Sequence, residues 1–214
     1  MAIMGKILLV DDHTIIRSGL KMLLGFDLDS YSFDEAENGE SALKSVKDFG
    51  YDLIIMDVNM PGTDSFGLVE KILKLKPESR ILMFSMNSES IYARRFLKLG
   101  VKGYIRKDEP ADEIKHAVLT VLNNRRYISK MLSEDLASDI CSDNKNNPFD
   151  SLSPRQFEIA RHLIQGKKIS AICQELHLHS STVSTQKNRI FEKLNVNNLV
   201  DLYAISKMHG AYRP

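Results

Sequence analysis

The chain has 214 residues, of which 43% are apolar and 27% charged, and its formal net charge is +1. This is the composition of an ordinary globular protein and excludes a largely disordered or collagen-like chain. The longest aliphatic runs, at 7–10 and 53–56, fall far short of the roughly 20 apolar residues of a membrane-spanning helix, so we expect no membrane segment. Cys141 and Cys173 form no CxxC pair, which favours a reduced, cytoplasmic chain.

The charge is unevenly distributed along the chain. Residues 1–125 carry a net charge of −2, whereas residues 148–214 carry +4 and four of the six histidines. Such asymmetry indicates different partners for the two parts of the chain. A net charge of +4 is modest, and it does not by itself establish nucleic-acid binding.

Short apolar runs alternate with helical spacing through the first 125 residues. The apolar runs lie at 6–10, near 30–35, and at 52–56, 80–84 and 102–105. Stretches with helical spacing follow at 14–24, 39–48, 65–75, 88–99 and 110–123. Five strands alternating with five helices predict a five-stranded parallel, doubly wound α/β sheet of the flavodoxin-like kind, with helices on both faces. Because the apolar runs are continuous, we expect the strands to be buried on both faces.

The rest of the chain changes character. A helix is predicted over 129–140, and the polar string at 142–148 is typical of a linker. The chain from Leu152 onwards has helical spacing. A first helix is predicted from its N-cap Ser153 to Gly166, and a short helix follows it. A third helix is capped by Ser180 or Ser181, and a last helix covers 197–208. We therefore predict a first domain over 1–125, a partly helical linker over 126–148, and an all-α four-helix domain over 149–214.

Five polar side chains follow strands of the predicted sheet. In strand order they are Asp11 and Asp12, Asp57, Ser85 and Lys107. Parallel strands present their carboxyl ends at one edge, where such sheets bind ligands, so we expect these side chains to meet. Each residue alone is more often part of a turn, a helix cap or the surface. Their joint occurrence favours a site.

The five side chains suit phosphoryl chemistry. Three adjacent carboxylates repel one another, and Mg²⁺, which prefers oxygen ligands, relieves that repulsion. We interpret Asp57 as the nucleophile, because it ends the central strand, while Lys107 and Ser85 stabilise the phosphoryl oxygens. His13 is placed to exchange protons near this edge, but we interpret it as a helix-start residue.

The motifs ILLVDDH at 7–13, LIIMDVNMPG at 53–62 and GYIRK at 103–107, with Ser85, resemble the receiver domain of two-component response regulators over about residues 4–124. The resemblance implies phosphotransfer from a sensor histidine kinase to Asp57. It also implies Mg²⁺ held by Asp12, Asp57 and the Asn59 carbonyl, with Asp11 acting through water. Ser85 and Tyr104 match the family's switch positions, whose rearrangement reports phosphorylation.

The helix predicted over 181–194 has two faces. Val183, Ile190 and Leu194 cluster on one side, and small polar residues cover the other. With a short helix and a turn before it, this is typical of a helix-turn-helix that enters the major groove of double-stranded DNA, although an ordinary helical bundle with a solvated face has the same spacing. The candidate DNA contacts are Thr182, Ser184, Thr185, Lys187, Asn188 and Arg189. We expect Lys187 at a phosphate.

Residues 149–210 resemble a LuxR-type (GerE) DNA-binding domain, through LSPRQFEIA at 152–160, GKKISAI at 166–172 and STVSTQKNRIFEKL at 181–194. The family's last helix pairs two copies on DNA, which implies a dimer surface at Asn198, Asp201, Leu202 and Ile205. His177 and His179 belong to a turn in our interpretation, because no further metal ligand lies nearby. A receiver followed by this domain is the arrangement of NarL/FixJ-type response regulators. The resemblance predicts a cytoplasmic transcription factor that binds DNA as a homodimer.

The sequence leaves two alternatives open. A Mg²⁺-dependent phosphohydrolase with an aspartyl nucleophile would carry Asp-x-Asp after the first strand, whereas this chain has adjacent Asp11 and Asp12. The other alternative is a DNA-binding protein whose first domain is only an interaction module, against which the intact set of five side chains argues. We expect a phosphoacceptor regulator and not a turnover enzyme.

Overall fold

The computed structural model describes residues 5–87, 89–141, 147–176 and 178–209. The chain divides into two compact units, Met1–Leu136 and Ala137–Pro214, and each is described by itself. Residues 142–146 of the predicted linker and His177 of the predicted turn lie outside the described residues. Among the helices that the structure describes, none has the length and apolar character needed to cross a membrane.

The first unit alternates strands and helices. Its strands are β1 (Gly5–Val10), β2 (Tyr31–Ala36), β3 (Leu53–Met56), β4 (Ile81–Ser85) and β5 (Gly103–Arg106). Its helices are α1 (Thr14–Gly25), α2 (Gly39–Asp48), α3 (Ser65–Leu75), α4 (Glu89–Leu99) and α5 (Ala111–Leu122). All pairings are parallel and the strand order is β2-β1-β3-β4-β5. The predicted flavodoxin-like sheet is confirmed, and each predicted element lies within two residues of its place.

The burial of β3 and β4 is that of strands in the interior of the sheet. Every residue of β3 and β4 is buried, as expected for strands covered by helices on both faces. β3 occupies the central position, so the residue that follows it, Asp57, stands in the middle of the carboxyl edge. The helix α4 ends where the sequence predicts, because Gly100, directly after it, adopts a φ of 109°, which favours glycine.

The helix α6 (Lys130–Cys141) spans the division between the two units. The second unit contains a 3-10 turn (Pro148–Ser151) and helices α7 (Pro154–Ile164), α8 (Ile169–Leu176), α9 (Ser180–Leu194) and α10 (Leu199–Met208). Ser153 and Gln156 form a reciprocal capping box at the start of α7. The predicted cap of α9 was wrong, because the helix begins at Ser180 and His179 holds the N-cap position without a side-chain cap bond.

Candidate functional site

The carboxyl edge of the sheet brings the predicted polar residues together. Asp11 directly follows β1, Asp57 follows β3 and Lys107 follows β5, while Ser85 is the last residue of β4. Backbone hydrogen bonds fix the strand ends, because Asp57 N–H donates to the Val10 carbonyl and Lys107 N–H donates to the Ser85 carbonyl. We name this site, made of Asp11, Asp12, Asp57, Ser85 and Lys107, the acidic pocket.

The ammonium of Lys107 lies between two buried carboxylates. Its Nζ donates to Asp11 Oδ2 at 2.5 Å and to Asp57 Oδ2 at 2.9 Å. The side chains of Lys107, Asp11 and Asp57 are 7%, 4% and 4% exposed. One buried positive charge therefore serves two buried negative charges, and the pocket keeps an excess of negative charge.

Burial and pairing shift the pKa values in the acidic pocket. Burial raises the pKa of the Asp57 carboxyl above its ordinary value, because it outweighs the opposing effect of the Lys107 ammonium. For Lys107, burial favours the neutral amine, but the hydrogen bonds with Asp11 and Asp57 prevail and raise the pKa of the ammonium. Lys107 is thus held in its charged form, as a group that stabilises negative oxygens must be.

Two carboxylate oxygens of the acidic pocket are left for a cation. Asp12 Oδ1 and Asp57 Oδ1 are buried and accept no hydrogen bond of normal geometry from the described part of the chain. Ligand atoms of Asp11, Asp12, His13 and Asp57 all lie within 4.8 Å of one another. Because buried, unpartnered carboxylate oxygens are costly, this arrangement fits a bound divalent cation.

The loop after β4 links Ser85 to Tyr104. Asn87 N–H donates to Ser85 Oγ at 3.3 Å, and the Tyr104 hydroxyl donates to the Asn87 carbonyl at 3.0 Å. Tyr104 is 1% exposed, and its ring stacks on Phe96. Ser85 is fully buried. The two residues that the sequence singles out as switch positions are therefore joined through one residue, Asn87.

Asn87 was missed at the sequence level. Its side-chain amide forms two reciprocal hydrogen bonds, at 3.0 and 3.1 Å, with the exposed amide of Asn59 on the loop after β3. The pair bridges the loops that follow Asp57 and Ser85. An asparagine two residues after a strand carries no signal of such pairing in the sequence.

Arg17 was also missed. It is 8% exposed on α1, donates to the Asp11 carbonyl at 2.6 Å, and forms an ion pair with Glu35 of β2. The backbone N–H of Asp11 donates to the Ala36 carbonyl, so the turn after β1 is held from both sides. The only available sequence signal was an arginine on the buried face of an amphipathic helix.

The second unit presents the predicted polar face of α9. Val183, Ile190 and Leu194 are buried, as their spacing predicts. The side-chain amide of Gln156 in α7 donates to the side-chain oxygen of Gln186 in α9 at 3.1 Å, and this hydrogen bond joins the two helices. The candidate DNA contacts Thr182, Ser184, Thr185, Asn188 and Arg189 are exposed, and Lys187 is half-buried. The Nζ of Lys187 lies over the Phe191 ring, 5.2 Å from its centre.

The predicted dimer surface needs one correction. Leu202 is fully buried in the core of the second unit, so it is not available to a partner. At the N-terminus of α10, the side-chain amide of Asn198 donates to Asp201 Oδ2, and the backbone N–H of Asp201 donates to Asn198 Oδ1. Ile205 is half-buried. The large apolar side chains that α10 exposes are Leu199, Val200, Tyr203 and Met208.

Two family models match the chain in the places that the geometry indicates. The response regulator receiver domain matches residues 7–119, which include the whole acidic pocket. The luxR family of bacterial regulatory proteins matches residues 150–206, which include α7 to α9 and most of α10.

Similar proteins have the same arrangement over nearly the full chain. The response regulator GacA of Pseudomonas syringae pv. syringae is 34% identical over 207 residues, and the match covers 96% of this chain and 96% of GacA. The response regulator UvrY of Escherichia coli is 30% identical over 206 residues, and the match covers 96% of this chain and 94% of UvrY. RcsB of Salmonella enterica serovar Typhimurium, solved on promoter rprA with the phosphomimetic BeF₃⁻, has the same fold, with a TM-score of 0.69, 21% identity and coverage of 95% and 98%. The chain therefore belongs to the NarL/FixJ-type two-component response regulators, which join a receiver domain to a LuxR-type DNA-binding domain.

Proposed function

We propose that Asp57 accepts a phosphoryl group from a sensor histidine kinase, in a reaction that requires Mg²⁺, and that this modification controls DNA binding. The observation that carries the proposal is the environment of Asp57. One of its oxygens pairs with Lys107, and the other is buried without a hydrogen-bond partner of normal geometry in the described structure. A carboxylate that is desolvated, adjacent to a fixed cation and open to a second cation is suited to attack phosphorus.

Asp12, Asp57 and the Asn59 carbonyl would hold Mg²⁺, with Asp11 acting through a water. The oxygen ligands and the two unpartnered oxygens fit this ion. When bound, Mg²⁺ supplies positive charge opposite the phosphoryl oxygens.

The transfer itself uses groups of this chain. A bond forms between an Asp57 carboxylate oxygen and phosphorus, while the bond between phosphorus and the kinase's histidine nitrogen breaks. Lys107 donates its N–H groups to the phosphoryl oxygens. The Ser85 hydroxyl turns towards the same oxygens and gives up its hydrogen bond from Asn87. Since Asn87 also holds the Tyr104 hydroxyl, the change at Ser85 is passed to Tyr104.

The output is sequence-specific binding to double-stranded DNA by a homodimer. The small polar face of α9 enters the major groove, Asn188 contacts a base edge, and Lys187 and Arg189 bind phosphates. RcsB, whose likeness to this chain establishes the fold, was solved on promoter DNA with a phosphomimetic, which supports the proposal. The exposed side chains of α10 extend the proposed dimer surface that begins at Asn198.

The protein is a stoichiometric phosphoacceptor in this proposal and not a turnover enzyme. A hydrolase would release phosphate repeatedly, whereas a regulator keeps the aspartyl phosphate long enough to act. We place the protein in the cytoplasm, where a DNA-binding regulator of this family meets its DNA.

The test is the intact mass of the protein after incubation with acetyl phosphate and Mg²⁺. We expect one added phosphoryl group in the wild type and none in Asp57→Asn or in metal-free buffer. Addition that persists in Asp57→Asn would overturn the assignment of the acceptor. Rapid release of phosphate from acetyl phosphate without mass increase would favour the hydrolase.

A further inference from the structure

We infer that the hydrogen bond between Ser129 and Glu89 restrains DNA binding. It holds the first turn of α6 on the unphosphorylated first unit, and phosphorylation of Asp57 breaks it. The inference rests on the proposed phosphorylation and names the contact through which that modification reaches the helix that leaves the first unit. The segment concerned is 127–132, which we call the linker anchor.

The linker anchor is bound to β5, which lies at one edge of the sheet. Tyr127 N–H donates to the Lys102 carbonyl at 2.9 Å, and Tyr127 forms a parallel bridge with Gly103. A Cβ added to Gly103 would lie only 3.0 Å from Tyr127 Cβ, so the two segments pass very close to each other. The Tyr127 hydroxyl donates to Glu113 Oε1 of α5 at 2.5 Å. The start of the predicted linker is therefore packed on the first unit.

The hydroxyl of Ser129 serves α6 and α4 at once. Its Oγ accepts from Leu132 N–H at 3.1 Å and so caps the first turn of α6. The same hydroxyl donates its one proton to Glu89 Oε2 at 2.6 Å. Leu132 is 1% exposed, so this first turn is packed against protein. Hydrogen bonds to carboxylates are among the stronger ones in proteins, and this one joins the start of α6 to the start of α4.

Glu89 lies at the end of the loop that senses the state of the acidic pocket. Asn87, two residues before it, donates its N–H to Ser85 Oγ and accepts from the Tyr104 hydroxyl. Glu89 is itself buried, with 3% of its surface exposed. When the Ser85 hydroxyl turns towards a phosphoryl group, it gives up Asn87 and changes the course of this short loop. A hydrogen bond weakens steeply with distance and angle, so the shift of Glu89 breaks its bond with Ser129.

The helix α6 carries this change out of the first unit. It begins at Lys130, directly after Ser129, and runs to Cys141, past the division between the two units. A contact that is made in one state and lost in the other shifts the equilibrium between the two states. Since the proposed phosphorylation strengthens DNA binding and breaks this contact, the contact belongs to the weakly binding state. Loss of the contact alone should therefore strengthen DNA binding.

The test uses Ser129→Asp in the full-length protein. Aspartate still caps α6, since it is a favoured N-cap residue, but its carboxylate has no proton to donate to Glu89. Ser129→Thr keeps both the cap and the donor. Ser133→Ala is the matched control, because Ser133 is an exposed serine of the same turn of α6. Hydrogen exchange in β1 and β3 equal to that of the wild type shows that a variant is folded.

The affinity for a duplex selected from a random pool is measured with and without acetyl phosphate and Mg²⁺. We expect untreated Ser129→Asp to bind about as tightly as the treated wild type, so that the ratio of treated to untreated affinity falls from about tenfold to less than about twofold. Ser129→Thr and Ser133→Ala should keep the wild-type ratio. A purely structural role would weaken binding in both states. In folded Ser129→Asp, an unchanged ratio, or a lost ratio with low affinity in both states, would overturn the inference.

A second measurement needs no variant of the linker anchor. Hydrogen exchange of a peptide covering 129–135 should become about tenfold faster when the wild type is treated, the scale of one hydrogen bond to a charged group, and should not change in Asp57→Asn. Wild type that gains a phosphoryl group without faster exchange in this peptide would overturn the inference and leave the proposed phosphorylation intact. Wild type that gains no phosphoryl group would overturn the proposed function and the inference with it.

Discussion

Lys107→Met removes the ammonium that pairs with both the Asp11 and the Asp57 carboxylates. Its Nζ lies 2.5 Å from Asp11 Oδ2 and 2.9 Å from Asp57 Oδ2, with the side chains almost fully buried. Removing one partner of a buried ion pair costs about 3–5 kcal/mol, because the remaining charge stays desolvated. A domain's total free energy of unfolding is about 5–15 kcal/mol. We therefore expect Lys107→Met to remove a large share of the stability of the first unit.

Hydrogen exchange measured by mass spectrometry in metal-free buffer, on peptides from β1 and β3, gives this free energy for the first unit alone. Lys115→Met is the matched control, because Lys115 pairs with Asp27 at 2.7 Å on the surface, and the change should leave exchange nearly unaltered. Asp57→Asn in the Lys107→Met background should restore about 0.5–3 kcal/mol, the range of coupling between contacting groups. A loss below about 1 kcal/mol in Lys107→Met, as for an exposed pair, would show that the pocket holds no costly excess of buried negative charge.

Three further predictions concern pH and salt. Because burial raises the pKa of Asp57 above its unfolded value, the native state binds the extra proton and wild-type stability falls as the pH rises through that pKa. Asp57→Asn should thus be the more stable protein near pH 7 in metal-free thermal unfolding, with a smaller advantage in acid, and lower stability near pH 7 would contradict this. Burial lowers the pKa of His162 from 6.5 to about 4, so the unfolded state binds more protons than the native state below pH 6.5. The free energy of unfolding of the second unit should therefore fall by about 2 kcal/mol between about pH 7 and pH 5. Hydrogen exchange of α7 should show this loss in wild type and in His179→Gln but not in His162→Gln, and equal loss in all three would refute it. Lys187→Ala should make the fall of log affinity with log salt concentration less steep, by about 0.9, and should weaken binding to all DNA sequences alike. A sequence-selective loss would exclude a phosphate contact.

The sequence predicts the sheet and its functional edge because both depend on local patterns. Continuous apolar runs such as 53–56 leave no exposed face, so they predict buried parallel strands directly. The residues just past such strands must lie at the carboxyl edge, whatever the details of packing. The order of residues along the chain is therefore enough to place Asp11, Asp57 and Lys107 together.

Contacts between distant parts of the chain could not be predicted in this way. Leu202 and Val200 are both apolar residues of α10, yet one is fully buried and the other 76% exposed, because the neighbouring helices decide which face is covered. Asn87 acquires its partners Tyr104 and Asn59 only when the loop after β4 meets β5 and the loop after β3. The spacing of residues within one helix or loop contains neither fact.

Central to the proposed function is the control of DNA binding by phosphorylation of Asp57. The direct measurement is the affinity of the full-length protein, with and without acetyl phosphate and Mg²⁺, for a duplex selected from a random pool, compared with that of Asp57→Asn. We predict that treatment raises the affinity of the wild type about tenfold, a coupling of about 1.4 kcal/mol, and leaves that of Asp57→Asn unchanged. Equal affinities of treated and untreated wild type would contradict the claim and make the receiver domain an interaction module.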